Sequence, residues 1–217
     1  MPKNIIYTVS VNPGLCFNRC VASQKRYAKK INADFYCCKS WTSLYNEDLK
    51  TDSEKRFIVD LLKDYDRVLY LDADVYVNDF AMDIFGWYKD DRNFIIYNEV
   101  MYNGVQMDAH IEYCAKTYNI NWPKTNGHYD WLNAGVMLCS KGHEKVFDYN
   151  PKNFFKFQNM PMIYDMPYMH KNIYDNHIPV TFLDKRFNTM VYFERTGFFL
   201  HFANVLDRDK KINEVCN

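Results

Sequence analysis

Asp72 and Asp74 stand one residue apart where the apolar run Arg67-Val-Leu-Tyr-Leu71 stops, and the chain turns apolar again at Val75-Tyr-Val77. Two carboxylates a few ångströms apart oppose each other's ionisation unless a proton or a cation intervenes. On an extended backbone residues i and i+2 share a side, so both acids would face one hard cation; Mg2+ or Mn2+, with oxygen ligands, waters and substrate phosphates, suits such a pair. The competing reading is a polar strand end, where Asp is favoured for its local hydrogen bonds. His201 closes another apolar run, Phe198-Phe-Leu-His201. It would either be a satisfied core histidine or, as a neutral imidazole, join the carboxylates around a metal.

Two further segments carry candidate chemistry. Asn133-Ala134-Gly135-Val136 follows Asp130 and opens a long apolar run. Its small residues would let the backbone approach a ligand, and the Asn offers donor and acceptor to hydroxyls; a β-bulge or tight bend is the alternative. Asp165, in Ile163-Tyr-Asp-Met-Pro167, is either a helix N-cap ahead of an early proline or a carboxylate serving as general base or electrostatic stabiliser.

The elements that would position these residues alternate. Asn4–Val11 reads as a strand closed by Asn12-Pro-Gly14, residues 17–31 as a basic helix, and residues 34–39 as a second strand, so the chain opens β-α-β and predicts a parallel sheet. Thr51-Asp-Ser-Glu54 supplies helix-start chemistry, and Phe57, Ile58, Leu61 and Leu62 recur at helical spacing. The apolar strand ending at Asp72 follows, fitting a central position covered on both faces. A short helix over 82–88, a strand over 93–97, a helix over 108–118, a loop over 121–127 and a buried strand over 131–139 come next. Residues 142–147 lead into a helix, 161–172 read as helix, 179–183 as extended, 197–203 as a last strand, and 207–217 as a charged helix or frayed end.

Composition narrows the partners. With 27 basic and 27 acidic residues no global field recruits nucleic acid or an anionic membrane. The 18 Tyr and 16 Phe against 7 Gly and 7 Pro make a globular composition, the aromatics serving chiefly as core. Seven cysteines without C-x-x-C spacing support neither a disulfide framework nor a zinc knuckle. The N-terminus offers no signal-peptide core or membrane span, so the expected compartment is the cytoplasm.

Leu71-Asp-Ala-Asp-Val75 and Leu132-Asn-Ala-Gly-Val-Met-Leu138 resemble the metal-binding and donor-sugar segments of GT-A glycosyltransferases, particularly the glycogenin-like family 8 group. The resemblance runs from the first strand to His201. It implies an α/β GT-A fold: a Rossmann-like, mixed, mainly parallel central sheet flanked by helices. The chain would be one such domain, with a nucleotide-binding half over about residues 1–100 and a donor-sugar and acceptor half over about 101–217, alone or as part of a longer protein. It further implies transfer of a sugar from a UDP-sugar donor to a glycan or other hydroxyl acceptor, with Mn2+ or Mg2+ on Asp72, Asp74 and His201. Carried over residue by residue, Thr8, Val9 and Ser10 would receive the uridine, and Tyr70 and Leu71 would lie near the base or ribose. Ala73 sits within the metal motif. Arg56 would face the diphosphate or sugar, the alternative being a solvated helix residue like Lys55 beside it. Asp130, Asn133, Ala134 and Gly135 would contact the donor sugar, and Asp165 would face the anomeric carbon or the acceptor hydroxyl. Two positions depart from the family: Met166 stands where a Gln follows the late Asp, leaving retention or inversion open, and Phe-Ala-Asn follows His201 in place of Gly-x-x-Lys-Pro-Trp. The basic diphosphate contact then falls to Arg208, Lys210 or Lys211. A sugar-nucleotide-binding module without turnover and a D-x-D phosphatase are the alternatives.

Overall fold

The computed structural model describes residues 2–11, 15–41, 54–104, 108–119, 121–148, 165–203 and 205–216. In chain order the elements are β1 (Asn4–Val9), α1 (Leu15–Lys30), β2 (Asp34–Cys38), α2 (Phe57–Asp64), β3 (Arg67–Leu71), β4 (Val75–Val77), α3 (Ile84–Trp87), β5 (Phe94–Asn98), α4 (Glu99–Asn103), α5 (Asp108–Tyr118), β6 (Lys124–Thr125), β7 (His128–Tyr129), β8 (Leu132–Ser140), α6 (Met166–Asp175), β9 (Val180–Phe182), β10 (Thr189–Met190), β11 (Phe199–His201) and α7 (Arg208–Val215). Among the described residues short 3-10 turns also lie at Glu144–Phe147 and Lys185–Phe187.

Six strands make the central sheet in the order β2-β1-β3-β8-β5-β9. β1 pairs parallel with β2 and β3, and β5 parallel with β9, while β8 runs antiparallel to both its neighbours. The parallel pairing expected from the β-α-β opening is therefore present, and the sheet is mixed and mainly parallel as the resemblance implies, with β8 as its one reversed strand. Every residue of β3 and β8 is buried, which is why these segments read as unbroken apolar runs rather than alternating ones. Successive residues of β3 feed opposite layers. Val68 and Tyr70 pack with Tyr7, Ile96, Met137 and α6, and Leu69 and Leu71 with Ile6, Tyr97, Val136 and the small sheet.

The small sheet, β10-β11-β4, receives the chain after Asp74. Here the structure corrects an expectation. Asp72 and Asp74 are not i and i+2 on an extended strand but bracket a turn closed by Val75 N–H donating to the Asp72 carbonyl at 3.0 Å. That turn carries the chain from one sheet to the other. Helix α1 clamps it: Gln24 Nε2 donates to the carbonyls of Asp72 (2.9 Å) and Val75 (2.8 Å), and Ser23 Oγ accepts from Val77 N at 2.8 Å.

Most other expected elements appear with ends shifted by one or two residues. The loop expected over 121–127 instead contains a hairpin, β6–β7, turning through Asn126 (φ 53°) and Gly127 (φ 85°). Asn-Gly with both residues left-handed is the preferred two-residue hairpin turn, a signal the sequence reading passed over. The helix-start residues 51–53 and the first part of the helix expected over 161–172 lie outside the described residues. Among the described residues no helix is long and apolar enough to cross a membrane.

Burial also fixes one titration. The His170 imidazole lies against the rings of Trp122 (4.5 Å between centroids) and Trp131 (5.5 Å). Desolvation there pushes its pKa down to about 3. Its Nε2 accepts from Leu132 N at 3.1 Å, so the neutral ring anchors the start of β8. An unfolded-chain histidine gains its proton near pH 6.5. Between about pH 6.5 and 3 the unfolded state thus binds the proton that the folded state refuses, and stability from this group falls by about 1.4 kcal/mol per pH unit as pH drops. Urea unfolding from pH 7 to pH 4 should show a shallower loss in His170→Gln than in the parent protein, even though the variant starts less stable; equal slopes would exclude His170 as the source.

Candidate active site

Three segments meet at the carboxyl end of β3. Asp72 follows the last residue of that strand, and its N–H continues the β3–β8 ladder by donating to the Gly135 carbonyl at 2.8 Å. Asp74 ends the turn, and its carbonyl accepts from Phe202 N at 3.2 Å. His201 is the last residue of β11, opposite Val75 across the small sheet. The side chains converge: His201 Nε2 lies 3.4 Å from Asp74 Oδ1 and 3.7 Å from Asp72 Oδ2. One ligand atom from each of the three falls within 4.8 Å of the others, so a single ion could be shared.

His201 is 1% exposed, and its Nε2 makes no well-formed hydrogen bond, only the longer contacts to the two carboxylates. Its other nitrogen, Nδ1, is held at 2.9 Å by Asn188 Oδ1. Buried polar atoms are nearly always partnered. A buried ring nitrogen without a well-formed hydrogen bond, directed at two carboxylates, is the donor set expected of a divalent-cation site, and two oxygens with one imidazole suit Mn2+ or Mg2+.

The electrostatics show the same unmet demand. Burial, reinforced by Asp74, raises the Asp72 pKa against the opposing pull of Lys55 and His201. Burial also disfavours charge on Asp74, but His201 and Arg208 outweigh it and hold that carboxyl below the ordinary range. For His201 desolvation opposes charging, and Asp74 with Asp72 more than offsets it, leaving the ring above its usual value. Arg208, first residue of α7, places Nη1 3.2 Å from Asp74 Oδ2. Of the three cations expected to replace the family's loop lysine, it is the one seen at the carboxylates.

The remaining candidate residues sort by what they touch. Tyr70 OH donates to Asp72 Oδ1 at 2.8 Å. Lys55 is 4% exposed and forms a buried ion pair with Asp165 Oδ2, its ammonium 5.3 Å from the centre of the Tyr70 ring. Of the two neighbouring cations Lys55 is the buried one, and Arg56 is half-buried. Asp165 precedes α6 but makes no side-chain cap, so the capping alternative does not account for it. One of its oxygens pairs with Lys55, and Lys55, Tyr70 and Asp72 form one contiguous cluster with it.

Thr8, Val9 and Ser10 are buried at the end of β1. Tyr7 is level with Tyr70, so these three continue alongside Leu71 and the Asp72–Asp74 turn. Leu71 is buried in the core, and Ala73 forms the middle of the turn. Asp130 is 5% exposed and accepts from Asn98 Nδ2 at 2.9 Å. Asn98 also caps α4, its Oδ1 receiving Val100 N and Met101 N, which presents Glu99 to Asn133 Nδ2 at 2.6 Å. Asn133 is engaged at both ends, its Oδ1 accepting from Gly135 N (2.9 Å) and Asn188 Nδ2 (3.1 Å). Ala134 is buried.

Gly135 is explained by a protein group rather than a ligand. A Cβ there would lie 2.1 Å from His201 Cε1, so the glycine is the floor on which the imidazole rests. Glu99, Asn98 and Asn188 were missed by the sequence reading. Asn98-Glu99 ends the apolar run of β5 as Asp72 ends that of β3, and the same rule applied there would have found it; Asn188 carries no local signal.

No family model matches the sequence, and no curated protein matches it significantly. Solved structures do. A glycosyltransferase involved in glycosylation of the major capsid of PBCV-1 aligns over 98% of this chain and 100% of its own at 18% identity, with a TM-score of 0.64. The galactosyltransferase LgtC, solved with donor and acceptor sugar analogues, aligns over 98% and 95% at 15% identity and TM-score 0.55. The Streptococcus pneumoniae glycosyltransferase GlyE aligns over 99% of this chain and 60% of its own at 14% identity and TM-score 0.57. The chain has the fold of these proteins, the GT-A glycosyltransferase fold.

Proposed function

We propose that this protein is a metal-dependent glycosyltransferase that moves a sugar from a UDP-sugar to a hydroxyl of a glycan or other acceptor. The observation that carries the reading is the convergence of the buried His201 Nε2 with the carboxylates of Asp72 and Asp74, with one ligand atom from each within 4.8 Å of the others. Those three residues would hold Mn2+ or Mg2+, which supplies Lewis-acid stabilisation of the charge developing on a departing diphosphate. Thr8, Val9 and Ser10, at the mouth of β1, would receive the uridine beside Tyr70. Arg208 would exchange Asp74 for the diphosphate once a cation neutralises that carboxylate. Asp165, with Lys55 holding one of its oxygens, would stabilise positive charge at the anomeric carbon or accept the acceptor's proton. Asp130 would use its free oxygen to orient a donor-sugar hydroxyl. Asn133 and Gly135 act in this scheme on the protein's own groups, as backing for the metal site.

The phosphatase alternative is not favoured. Asp72, at the position of its nucleophile, has Oδ1 occupied by the Tyr70 hydroxyl, and β1, α1 and β2 precede the motif that normally opens such a domain.

Calorimetric titration of UDP and a panel of UDP- and GDP-sugars, with Mn2+ and again with EDTA, tests the reading. Binding of a UDP-sugar only in the presence of metal supports it, and slow release of UDP on incubation would mark turnover. No nucleotide binding in either condition refutes it. In the same assay Arg208→Ala should weaken UDP-sugar binding about 10- to 100-fold, the loss of a charge-assisted phosphate contact of about 1.5–3 kcal/mol. Lys210→Ala should leave it unchanged.

A further inference from the structure

We propose that Asn188 is a positioning residue that fixes the tautomer of His201, as the last link of a hydrogen-bonded chain whose direction is set at its far end. The chain runs Glu99, Asn133, Asn188, His201, through contacts of 2.6, 3.1 and 2.9 Å. An amide side chain can be turned either way, so each link alone is ambiguous. The anchors remove that ambiguity. Glu99 presents a carboxylate oxygen, so Asn133 turns its NH2 toward Glu99. Gly135 presents a backbone N–H, a donor in every state, so Asn133 turns its oxygen toward Gly135. Both anchors demand the same orientation of Asn133.

The rest follows by complementarity. Asn133 Oδ1 also faces Asn188, so Asn188 gives its NH2 to Asn133 and its oxygen to His201. An oxygen facing Nδ1 requires that nitrogen to carry the proton. In the neutral ring Nε2 is then bare, with its lone pair aimed between Asp72 and Asp74. Asn188 is fully buried and Asn133 is 8% exposed, so water does not compete for these links. Were the chain reversed, Nε2–H would occupy the space where a cation is to sit, and the two carboxylates would be satisfied by that proton instead.

This inference rests on the proposed metal site for the use made of Nε2, but the tautomer itself is measurable without metal or nucleotide. Long-range 1H–15N spectra of 15N-histidine-labelled protein, in EDTA and at a pH high enough to leave the ring neutral, report which nitrogen holds the proton. His201→Gln identifies the resonance by its loss. The expected result is the Nδ1–H tautomer in the parent protein. Asn188→Leu should release that preference and weaken Mn2+ binding 10- to 100-fold, the usual effect of losing a group that orients a metal-bound histidine. Asn188→Asp retains an acceptor on Nδ1 while giving up the NH2 that reaches Asn133 Oδ1, so it should keep the Nδ1–H tautomer although the link to Asn133 is lost.

An Nε2–H tautomer in the parent protein overturns the proposal, as does Asn188→Leu with tautomer and Mn2+ affinity unchanged. If the leucine variant does not fold, loss of the Nδ1–H state in a folded Asn188→Asp variant overturns it equally. The expected tautomer without any Mn2+ affinity in the parent protein would instead overturn the metal-site reading and, with it, the cation's part here.

Discussion

Asp74→Asn should reduce Mn2+-dependent UDP affinity by at least about 100-fold, or about 2.7 kcal/mol, while changing the melting temperature without metal only slightly. Asp74 carries the carboxylate closest to His201 and is the one held ionised by its neighbours. Its amide keeps the shape of the side chain, and the turn is closed by Val75 N–H on the Asp72 carbonyl and held by Phe202 N–H on the Asp74 carbonyl, neither of which uses the Asp74 carboxylate. What disappears is an anionic ligand in a buried site, where little solvent can substitute. Circular dichroism melting establishes that the variant folds, and calorimetry with and without Mn2+ reads the affinity. Unchanged UDP affinity in the presence of metal would remove Asp74 from the site.

Gly135→Ala should destabilise the fold by about 1–3 kcal/mol, as overpacking a filled interior does, and should also impair metal binding. The added methyl group would overlap His201 Cε1 at 2.1 Å, and neither side is free to retreat. The backbone of Gly135 is bound through its carbonyl to Asp72 N and through its N–H to Asn133, while the ring is bound through Nδ1 to Asn188. Any accommodation therefore disturbs a proposed metal ligand. Removing the ring should relieve the clash, so Gly135→Ala should cost much less stability in a His201→Ala background, a coupling that urea unfolding of the four proteins can read. Equal costs in the two backgrounds would show that the glycine serves some other purpose.

These two variants also mark where the sequence was readable and where it was not. The proposed metal ligands were legible because Asp72 and His201 stand at the ends of apolar strands, with Asp74 one residue beyond Ala73: a charged or titratable group placed there is exposed to a ligand and costly to leave uncompensated. The central sheet was legible for the same reason, since fully buried strands leave uninterrupted apolar runs. The local geometry was not. The Asp-x-Asp pair works through a turn between two sheets, and nothing between residues 71 and 75 announces that the second run belongs to another sheet. Lys55 and Arg56 are adjacent, and only the packing of α2 against the central sheet decides which of the two is buried against Asp165 and Tyr70. Asn188 and Glu99 acquire meaning through partners distant in sequence, and a polar side chain whose partner is remote looks like any other polar side chain. Gly135 was noticed, but for closeness to a ligand rather than to the imidazole that lies over it.

The division of the three ligands between two sheets has a mechanical consequence. Asp72 belongs to the end of the central sheet, and His201 belongs to β11, which is zipped to the chain after Asp74 by the three-residue strand β4. A cation gripped by all three would rivet one sheet to the other. Loading the site would then suppress opening of β11 from β4, and amide protons of the small sheet, Leu200 and Tyr76 among them, would exchange more slowly in proportion to metal occupancy while those deep in β3 and β8 hardly changed. The carboxyl-terminal segment from β11 through α7, with Arg208 at its start, would thereby be stiffened by the same event that prepares the site for a diphosphate.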